Sequence, residues 1–407
     1  MKKQLTFIFF FTCILYFCQI TVPYRTGNKY GISDESGKII IPANYDIIDV
    51  LMYPGEFTAT KQLSGNVFKT TYIVKNKPVL QDTDYNYFGM DSGFIIATRI
   101  KDLQQYYMSN GSPSYSSTDV YSLSGQKVFE QSFRYVNFIE DEKKPLTNEI
   151  LVLANDQKAK NSLYLLNTKT LKVSKTFFEG ADEVKTHYEK FPAVFSIDYY
   201  ETDLSGKRLI LNFENGKLAK QTTENIQSLD PYSSQSRSSS GSYDVMPTYD
   251  MEGIKQPPVK IADHVIAEMK DISNSKKYTQ PYNIPVLSVN SKKLLTEYFA
   301  LIKENGKIGY MDTRKKQWII PAEYDEIMTS HSTCGNCDVF VVKKGGIYKI
   351  LETGPDNKLT PFKGDYPMIP VLVKRNYGKD GFHLVELYDK DGNLFCYANQ
   401  DGVMYYK

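Results

Sequence analysis

The chain has 407 residues, with 49 lysines and arginines against 47 aspartates and glutamates, so its formal net charge is +2. This near balance, together with the lack of any run of five like charges, argues against a dedicated nucleic-acid surface. The length suffices for one large or two ordinary cores, so disulfides or metals are not needed for stability. Tyrosine and phenylalanine, at 32 and 22 residues, are abundant in a way that is typical of β-sheets.

The first segment, residues 1–18, is predicted to be a signal peptide. Two lysines precede an apolar stretch at residues 5–17, which is shorter than the about 20 apolar residues of a membrane-spanning helix. Cleavage after Cys18 is expected, and lipid modification of Cys18 is the alternative, although Phe17 is bulkier than the residue lipoprotein signals prefer. We therefore expect an exported protein of the periplasm, cell surface or extracellular space, without an integral membrane span in its mature chain.

After this segment, short β-prone runs alternate with turn signals. Four stretches have the pattern strand, polar turn, strand: residues 118–133, 162–178, 307–320 and 383–398. Dipeptides that favour tight turns recur at Ser124-Gly125, Ser205-Gly206, Asn215-Gly216, Asn305-Gly306 and Asp391-Gly392. Residues 291–305 nearly fit a helical stripe, but residues 298–303 are predicted as a strand because the turn at Asn305-Gly306 then completes a hairpin.

One stretch, residues 222–258, interrupts the β pattern. It is rich in serine and proline and has too few apolar groups to offset the entropy of ordering, so a loop or linker is predicted. It separates an N-terminal β-repeat block, residues 19–221, from a C-terminal block, residues 259–407. A tolerated insertion and an exposed binding or processing loop are both compatible with this composition.

Two distant segments have nearly the same sequence. Residues 37–48 read GKIIIPANYDII, and residues 316–327 read KQWIIPAEYDEI. The two prolines are 279 residues apart, and so are the two tyrosines, so the register is constant. Such an echo indicates a repeat architecture in which one supersecondary unit recurs and buries its face against its neighbours.

Segments 28–48 and 304–327 resemble WG (KWG) repeats, in which a Gly-Lys turn precedes Ile-Ile-Pro-x-x-Tyr-Asp. Tyr30 and Ile308 replace the signature tryptophan, so both copies are divergent. The repeat motif residues are Gly31, Pro42, Tyr45, Asp46, Gly309, Pro321, Tyr324 and Asp325. With the hairpin pattern, the resemblance predicts a mainly β repeat architecture of hairpins, either propeller-like or an open β-solenoid.

Each motif residue has an expected structural role. Proline offers no donor and is predicted to end the strand ladder, while the following tyrosine packs on the sheet with its hydroxyl near water. Asp46 and Asp325 are expected to cap the following turn by accepting backbone N–H bonds. None of these roles requires a catalytic residue.

The most distinctive local motif is HSTCGNC at residues 331–337. Cys334 and Cys337 are predicted to form a loop disulfide in an exported protein. A redox pair and a zinc site that adds His331 and either His383 or Cys396 are the alternatives. Cys396 itself is expected to be reduced and at least partly buried in a strand.

The predicted function is non-catalytic binding or scaffolding at the bacterial cell envelope or outside the cell. No nucleophile-elbow, zinc-protease or phosphate-loop pattern occurs, so no catalytic, cofactor or metal residue is assigned. The partner is an unidentified protein or glycan. The alternative is a glycan-acting hydrolase on a β-propeller-like scaffold, which would need two carboxylates facing each other across a cleft.

Overall fold

The computed structural model describes residues 20–407 apart from several gaps. The gaps are residues 65–66, 102–115, 141–145, 189, 203–204, 227–264, 267, 273–275, 280–283, 288, 294–298, 332–337 and 354–357. The predicted signal peptide, residues 227–258 of the predicted linker and the Cys334–Cys337 pair therefore lie outside the described residues. Residues 222–226 of that linker are described and belong to a strand.

In the first half of the chain, strands follow one another in five antiparallel sheets of three or four strands each. Sheet by sheet, they are β1 (Thr21–Thr26), β2 (Lys29–Asp34), β3 (Ile39–Tyr45); β4 (Ile47–Val50), β5 (Glu56–Ser64), β6 (Val67–Val74), β7 (Lys77–Thr83); β8 (Tyr87–Asp91), β9 (Phe94–Ile100), β10 (Ser116–Ser122); β11 (Tyr135–Ile139), β12 (Glu149–Asn155), β13 (Asn161–Asn167), β14 (Lys172–Ala181); and β15 (Glu183–His187), β16 (Val194–Thr202), β17 (Ser205–Glu214), β18 (Lys217–Ile226).

The second half begins with short strands and ends with longer ones. In chain order they are β19 (Val265–Ile266), β20 (Glu268–Asp271), β21 (Lys276–Thr279), β22 (Ile284–Leu287), β23 (Asn290–Lys293), β24 (Phe299–Glu304), β25 (Lys307–Asp312), β26 (Gln317–Tyr324), β27 (Glu326–His331), β28 (Asp338–Lys344), β29 (Ile347–Thr353), β30 (Leu359–Pro361), β31 (Ile369–Lys374), β32 (Leu384–Tyr388), β33 (Leu394–Asn399) and β34 (Met404–Tyr405).

These later strands form four sheets. Their orders are β19-β24-β25-β26, β23-β20-β27-β28-β29-β30, β21-β22 and β31-β32-β33-β34. All described pairs of neighbouring strands are antiparallel except β20 and β27, which run parallel. The described residues contain no helix, so none could cross a membrane as an apolar helix.

The chain divides into two compact units. We call Met1–Asp82 with Gln256–Lys407 the discontinuous unit, and Thr83–Lys255 the inserted unit. Residues 19–82 were predicted to belong to one block with the residues that follow them. In the structure they group with the C-terminal strands, because the first and last sheets share one hydrophobic core.

Sheets of the inserted unit stack on shared cores. Side chains alternate between the two faces of a strand, so neighbouring residues of β12 reach different clusters. Leu151 and Leu153 pack in a core with Phe195 of β16, whereas Val152 packs in a core with Val120 of β10. The sheet of β11–β14 is therefore buried on both of its faces.

Sheets of the discontinuous unit stack in the same way. In β28, Val342 joins Ile320 of the preceding sheet in one core, and Val341 joins Val385 of the last sheet in another. Small antiparallel sheets that each bury two faces against their neighbours are the repeating element of propellers and β-solenoids. The predicted mainly β repeat architecture is thus confirmed, and its stacked sheets are propeller-like.

The first and last sheets of the discontinuous unit are joined by backbone bonds. Arg25 of β1 forms a parallel bridge with Tyr406, and the N–H of Lys407 donates to the Arg25 carbonyl at 2.8 Å. The Arg25 guanidinium lies over the rings of Tyr30 and Phe395, 5.6 and 5.2 Å from their centroids. Its Nη1 also donates to the Phe395 carbonyl at 2.9 Å.

Two predicted hairpin details have different outcomes. The strand predicted at residues 298–303 is present as β24, and the Asn305-Gly306 turn connects it to β25. The predicted turn at Ser205-Gly206 is wrong, because both residues lie in β17, where Gly206 pairs with Tyr200. A Cβ on Gly206 would lie 2.5 Å from the Tyr200 ring, so this glycine makes room for packing.

Candidate functional site

The first motif proline, Pro42, lies inside β3 and does not end it. Tyr45 pairs with Tyr30, and Ile41 pairs with Ile32. The three residues between them, which begin with the proline, therefore face the single residue Gly31 of β2. This is a bulge, in which extra residues on one strand bend it and leave part of the ladder unpaired. The expectation that proline ends the ladder is therefore wrong, since the bulge removes the need for a donor at this position.

The motif glycines stand opposite these bulges. The second copy has the same register shift around Pro321, with Gly309 in the place of Gly31. A Cβ on Gly31 would lie 2.4 Å from the Ile41 carbonyl oxygen, and one on Gly309 would lie 2.7 Å from the Ala322 nitrogen. The backbone of the bulge thus occupies the space that any larger residue would need.

An aromatic ring also lies against the Cβ position of each motif glycine. The Tyr24 ring lies 2.7 Å from the Cβ position of Gly31, and the Trp318 ring lies 2.5 Å from that of Gly309. Tyr24 belongs to β1, across from the glycine, whereas Trp318 belongs to β26, the bulged strand. The chain's single tryptophan therefore covers the second glycine from a position different from that of the signature tryptophan.

The motif tyrosines each lie beside a lysine of the next sheet. The Lys61 ammonium is 4.9 Å from the centroid of the Tyr45 ring, and the Lys344 ammonium is 6.0 Å from that of Tyr324. Tyr45 is buried, whereas Tyr324 is half-buried. Burial raises the pKa of the Tyr324 hydroxyl.

Asp46 connects the first sheet to the second. Its carboxylate accepts hydrogen bonds from Lys29 Nζ at 2.5 Å and from the backbone N–H of Gln62 at 2.9 Å. Its own N–H donates to the Thr60 carbonyl at 2.8 Å. The predicted backbone bond exists, but the donor lies in β5 of the next sheet and not in the following turn.

Asp325 makes the same set of contacts in the second copy. Its carboxylate accepts from Lys307 Nζ and, at 2.7 Å, from the N–H of Gly345, while its own N–H donates to the Lys343 carbonyl at 2.7 Å. The hydrogen bond from Lys307, together with that from Gly345, lowers the pKa of the Asp325 carboxyl. Both copies therefore use the motif aspartate to join consecutive sheets.

A cleft lies beside the second copy, and we call it the aromatic cleft. It has a volume of about 790 Å³, and its walls include Phe299, Tyr310, Arg314, Lys315, Trp318 and Lys358. The rings of Phe299 and Tyr310 are stacked with centroids 5.7 Å apart, and Tyr310 lies 5.2 Å from Phe340. The cleft therefore combines an aromatic floor with cationic side chains.

A second cavity, which we call the apolar groove, adjoins the aromatic cleft. It has a volume of about 650 Å³, and its walls include Ile319, Val342, Ile347, Leu351, Leu359 and Pro361. Ile319 and Leu359 line both cavities. Concave sites lined mainly by apolar and aromatic side chains with a few polar groups are the usual form of ligand sites.

The sequence-predicted cysteines fall in different places. The predicted disulfide of Cys334 and Cys337 lies outside the described residues and stays a prediction, as do its redox and zinc alternatives. Cys396 is a buried free thiol in β33, as predicted, and burial raises its pKa to about 12. Among the described residues, no group of three or more His, Cys, Asp or Glu side chains is placed to hold a metal ion.

Two buried carboxylates were missed by the sequence analysis. The Asp198 carboxylate accepts hydrogen bonds from Arg208 Nε and Nη2, at 2.6 and 2.9 Å, and lies 3.0 Å from His187 Nε2. The Asp119 carboxylate accepts hydrogen bonds from the hydroxyls of Tyr85 and Ser132, at 2.7 and 2.8 Å. Each aspartate lies on the strand face opposite a core residue, Val120 beside Asp119 and Ile197 beside Asp198, so the alternating pattern did not mark either one as buried.

The pKa values of the described carboxyl groups show one trend. For Asp198, burial favours the neutral form, but the bonds from Arg208 and then His187 outweigh it and lower the pKa. Wherever a shift is resolved for a described carboxyl group, the pKa is lowered. These groups are Asp34, Asp119, Asp198, Glu323, Asp325 and Asp389.

Comparison with known proteins agrees with the repeat. A family model described as "WG containing repeat" matches residues 30–50 and 308–348. No curated protein matches the chain.

Three solved structures illustrate the likeness to known folds. The β-propeller domain of the trilobed protease from Pyrococcus furiosus is 10% identical, with a TM-score of 0.23 over 95% of this chain and 97% of that one. The dihydro-heme d1 dehydrogenase NirN is 9% identical, with a TM-score of 0.29 over 95% and 72%. A prolyl endopeptidase is 10% identical, with a TM-score of 0.25 over 96% of this chain, which spans 48% of that enzyme's length. At these scores the fold rests on the strand pairing and shared cores described above.

Proposed function

We propose that this chain, which contains two divergent WG repeats, is a non-catalytic binding or scaffolding protein exported to the bacterial cell envelope or beyond. The proposal rests on the different roles of the residues around the second copy. Its motif glycine, proline and aspartate form the bulge and the link between sheets, whereas the adjoining aromatic cleft and apolar groove are open. Binding is therefore assigned to these two cavities, and the walls of the apolar groove include the motif residues Pro321 and Tyr324.

Support for a non-catalytic role comes from the charged groups near the second copy. Asp325 is held by Lys307, and Glu326 is held by Lys270, so both carboxylates are neutralised by lysines. Asp312, in the wall of the aromatic cleft, accepts backbone N–H bonds from Arg314 and Lys315 at 3.0 and 3.1 Å. Of these carboxylates, Asp325 has a lowered pKa because of the bonds from Lys307 and Gly345, which suits a structural role better than proton transfer.

Support for export comes from the N-terminal segment, and the burial of Ile20 bears on where that segment would be cleaved. Residues 1–18 have the basic and apolar pattern of a signal peptide. Ile20 is 1% exposed in the core of the first sheet, and its carbonyl accepts the N–H of Glu35 at 3.1 Å. Cleavage after Cys18 would leave this contact intact, whereas cleavage beyond Ile20 would remove a core residue.

Export is tested by expressing the full chain in a bacterial host and fractionating the cells. We expect the protein in the periplasm, the medium or the washed envelope. Its mass should be that of a chain that begins at Gln19. An intact N-terminus in the cytoplasm would contradict export. A mass increase on Cys18 that corresponds to lipid would identify the lipoprotein alternative.

Binding is tested by cosedimentation of the mature chain with a washed cell-envelope fraction. We expect saturable binding that is lost when the shared wall of the two cavities is made charged, in Ile319→Asp with Leu359→Asp. The matched control is Leu63→Asp with Leu123→Asp, which alters exposed leucines elsewhere and should bind normally. Equal binding by both double variants would contradict the assignment to the cavities.

The same samples distinguish binding from hydrolysis. After incubation, the soluble fraction is assayed for new reducing ends. We expect none above the level of a boiled control. Release of reducing ends in proportion to protein concentration would overturn the non-catalytic proposal in favour of the glycan-acting hydrolase.

A further inference from the structure

We propose that the aromatic cleft binds a segment of an anionic oligosaccharide, with one sugar ring stacked on Trp318. The inference rests on the proposed function and names the ligand class for one of its two cavities. The shared chemistry is a sugar that carries carboxylate or sulfate groups. Four features of the cleft, namely its platform, floor, charge and size, lead to this class.

The platform is Trp318, and its position is fixed. It pairs with Met311 across β25 and β26, and its ring rests against Gly309. The side chain is half-buried, so part of the indole remains accessible at the cleft wall. Indole combines a large apolar face with a polar N–H, which suits a sugar ring that has an apolar C–H face and a polar edge.

The floor of the cleft is aromatic and well supported. Phe299 and Tyr310 are stacked, and Tyr310 contacts Phe340, which is 4% exposed. Because these rings are anchored in a core, the cleft is formed before any ligand arrives. A preformed site loses less entropy on binding than one that must be ordered.

The charge of the cleft is positive. The described residues of its walls include three cationic side chains, Arg314, Lys315 and Lys358, and one carboxyl, Asp312. The side chains of Arg314 and Lys315 are 56% and 70% exposed, whereas that of Asp312 is 9% exposed. Asp312 points into the turn that presents the two cations, and its carboxylate is 3.9 Å from each of them.

This arrangement favours an anion. Cations at a rim attract a complementary ligand and fix its orientation, an effect that weakens with salt. Asp312 is engaged by the backbone N–H groups of the turn, so its charge holds the loop. The exposed charge of the turn at Arg314 and Lys315, which forms part of the described wall, is therefore cationic.

Size and polarity favour a saccharide over a peptide. The volume of about 790 Å³ lies within the about 300–1,000 Å³ of small-ligand pockets. Polar side chains of Gln317 and Thr353 share the walls with the rings, so hydrogen-bonding groups alternate with apolar surface. The aliphatic residues, which would suit apolar peptide side chains, lie mainly in the neighbouring apolar groove.

The experiment uses the protein's own tryptophan. Trp318 is the only tryptophan of the chain, so intrinsic tryptophan fluorescence reports on this cleft alone. The mature chain is titrated with a hexauronate, a sulfated hexasaccharide, neutral cellohexaose and a hexaglutamate peptide. We expect a saturable change with the uronate, the sulfated sugar or both, weakened at high salt, and no change with cellohexaose or hexaglutamate.

The test variant is Arg314→Gln with Lys315→Gln, which leaves Trp318 in place. We expect its affinity for the anionic sugar to fall about ten-fold, the equivalent of about 1.4 kcal/mol. The matched control, Lys158→Gln with Lys169→Gln, removes two exposed lysines of the inserted unit and should titrate as wild type. Equal loss in both variants would show a general charge effect and overturn the site.

The four ligands separate the remaining outcomes. An equal response to cellohexaose would overturn the role of charge, and an equal response to hexaglutamate would identify an acidic-peptide site. If no ligand responds while envelope cosedimentation is still lost in Ile319→Asp with Leu359→Asp, this inference fails and the proposed function stands. If cosedimentation is absent as well, both fail.

Discussion

The two repeat copies share the bulge and the aspartate contacts but differ in the ring that covers the glycine and in their surroundings. In the first copy, Tyr30, Ile41 and Tyr45 are buried, and the glycine is covered by Tyr24, which is 2% exposed. In the second copy the corresponding glycine is covered by Trp318, which is half-buried and lines a cleft. The motif therefore sets how one sheet joins the next, and the neighbouring strands decide whether a copy is enclosed or open.

The neighbours of the first copy explain its burial. The hydroxyl of Tyr30 donates to the carbonyl of Leu394 at 3.1 Å, and that of Tyr397 donates to the carbonyl of Ile48 at 2.9 Å. The last sheet thus covers the first copy. Burial raises the pKa of Tyr30 to about 12, although Arg25 beside it acts in the opposite direction.

The largest expected effect compares the two aromatic covers. Tyr24→Ala empties a buried site and should destabilise the chain by about 3–5 kcal/mol, whereas Trp318→Ala, at a half-exposed site, should cost about 1–2 kcal/mol. Urea unfolding followed by far-UV circular dichroism measures both. Only Trp318→Ala should weaken ligand binding, which calorimetry measures without the fluorophore. An equal loss of stability in the two variants would refute the contrast between enclosed and open copies.

A smaller effect is expected from the motif glycines. Gly31→Ala and Gly309→Ala each place a Cβ against the backbone of a bulge, and we expect losses of about 2–3 kcal/mol in urea unfolding. In Gly309→Ala the indole of Trp318 must also move, so its emission maximum should shift. The control is Gly89→Ala, where nothing lies within 4 Å of the new Cβ. Wild-type stability in Gly31→Ala would show that the bulge yields.

The smallest expected loss of stability comes from replacing the motif aspartates, which join consecutive sheets in both copies. Since the Asp325 pKa is lowered in the fold, its ionised form contributes stability above the ordinary aspartate pKa of about 3.9. This contribution is lost as the pH falls through the lowered value. The urea midpoints of wild type and Asp325→Asn should therefore differ at pH 7 and converge in acid.

Two controls accompany this pH series. Asp46→Asn removes the corresponding contacts of the first copy and should lower the midpoint at pH 7 in the same direction. Asp391→Asn changes an aspartate with a 64% exposed side chain and should have no comparable effect. A difference between wild type and Asp325→Asn that stays constant with pH would contradict the ionic role of this group.

Local features of the fold were predictable from the sequence. Alternating β-prone runs and dipeptides such as Asn305-Gly306 identified hairpins, because strand and turn preferences act over a few residues. The repeat was identified because two similar segments occur 279 residues apart, and each segment encodes its own local structure. Ser205-Gly206 shows the limit of such signals, since the same dipeptide can serve either a turn or close packing against Tyr200.

Features that depend on neighbouring sheets were not predictable. The acceptor role of Asp46 was anticipated, but its donor, Gln62, lies in the next sheet, and no local pattern marks that pairing. The aromatic cleft brings together residues of β24, β25 and β26 with Lys358 near β30. Such a site is defined by how sheets stack, and the spacing of residues along the chain carries no record of it.

The backbone link between Arg25 and Tyr406 has a consequence for biosynthesis. The first sheet acquires this partner only after residue 406 has been synthesised, whereas the inserted unit ends at Lys255. Because chains grow at about 5–20 residues per second, strands β1–β3 are synthesised roughly tens of seconds before this partner. A chaperone that shields strand edges would act during this interval, and the described strands of the inserted unit, the last of which ends at Ile226, are synthesised earlier.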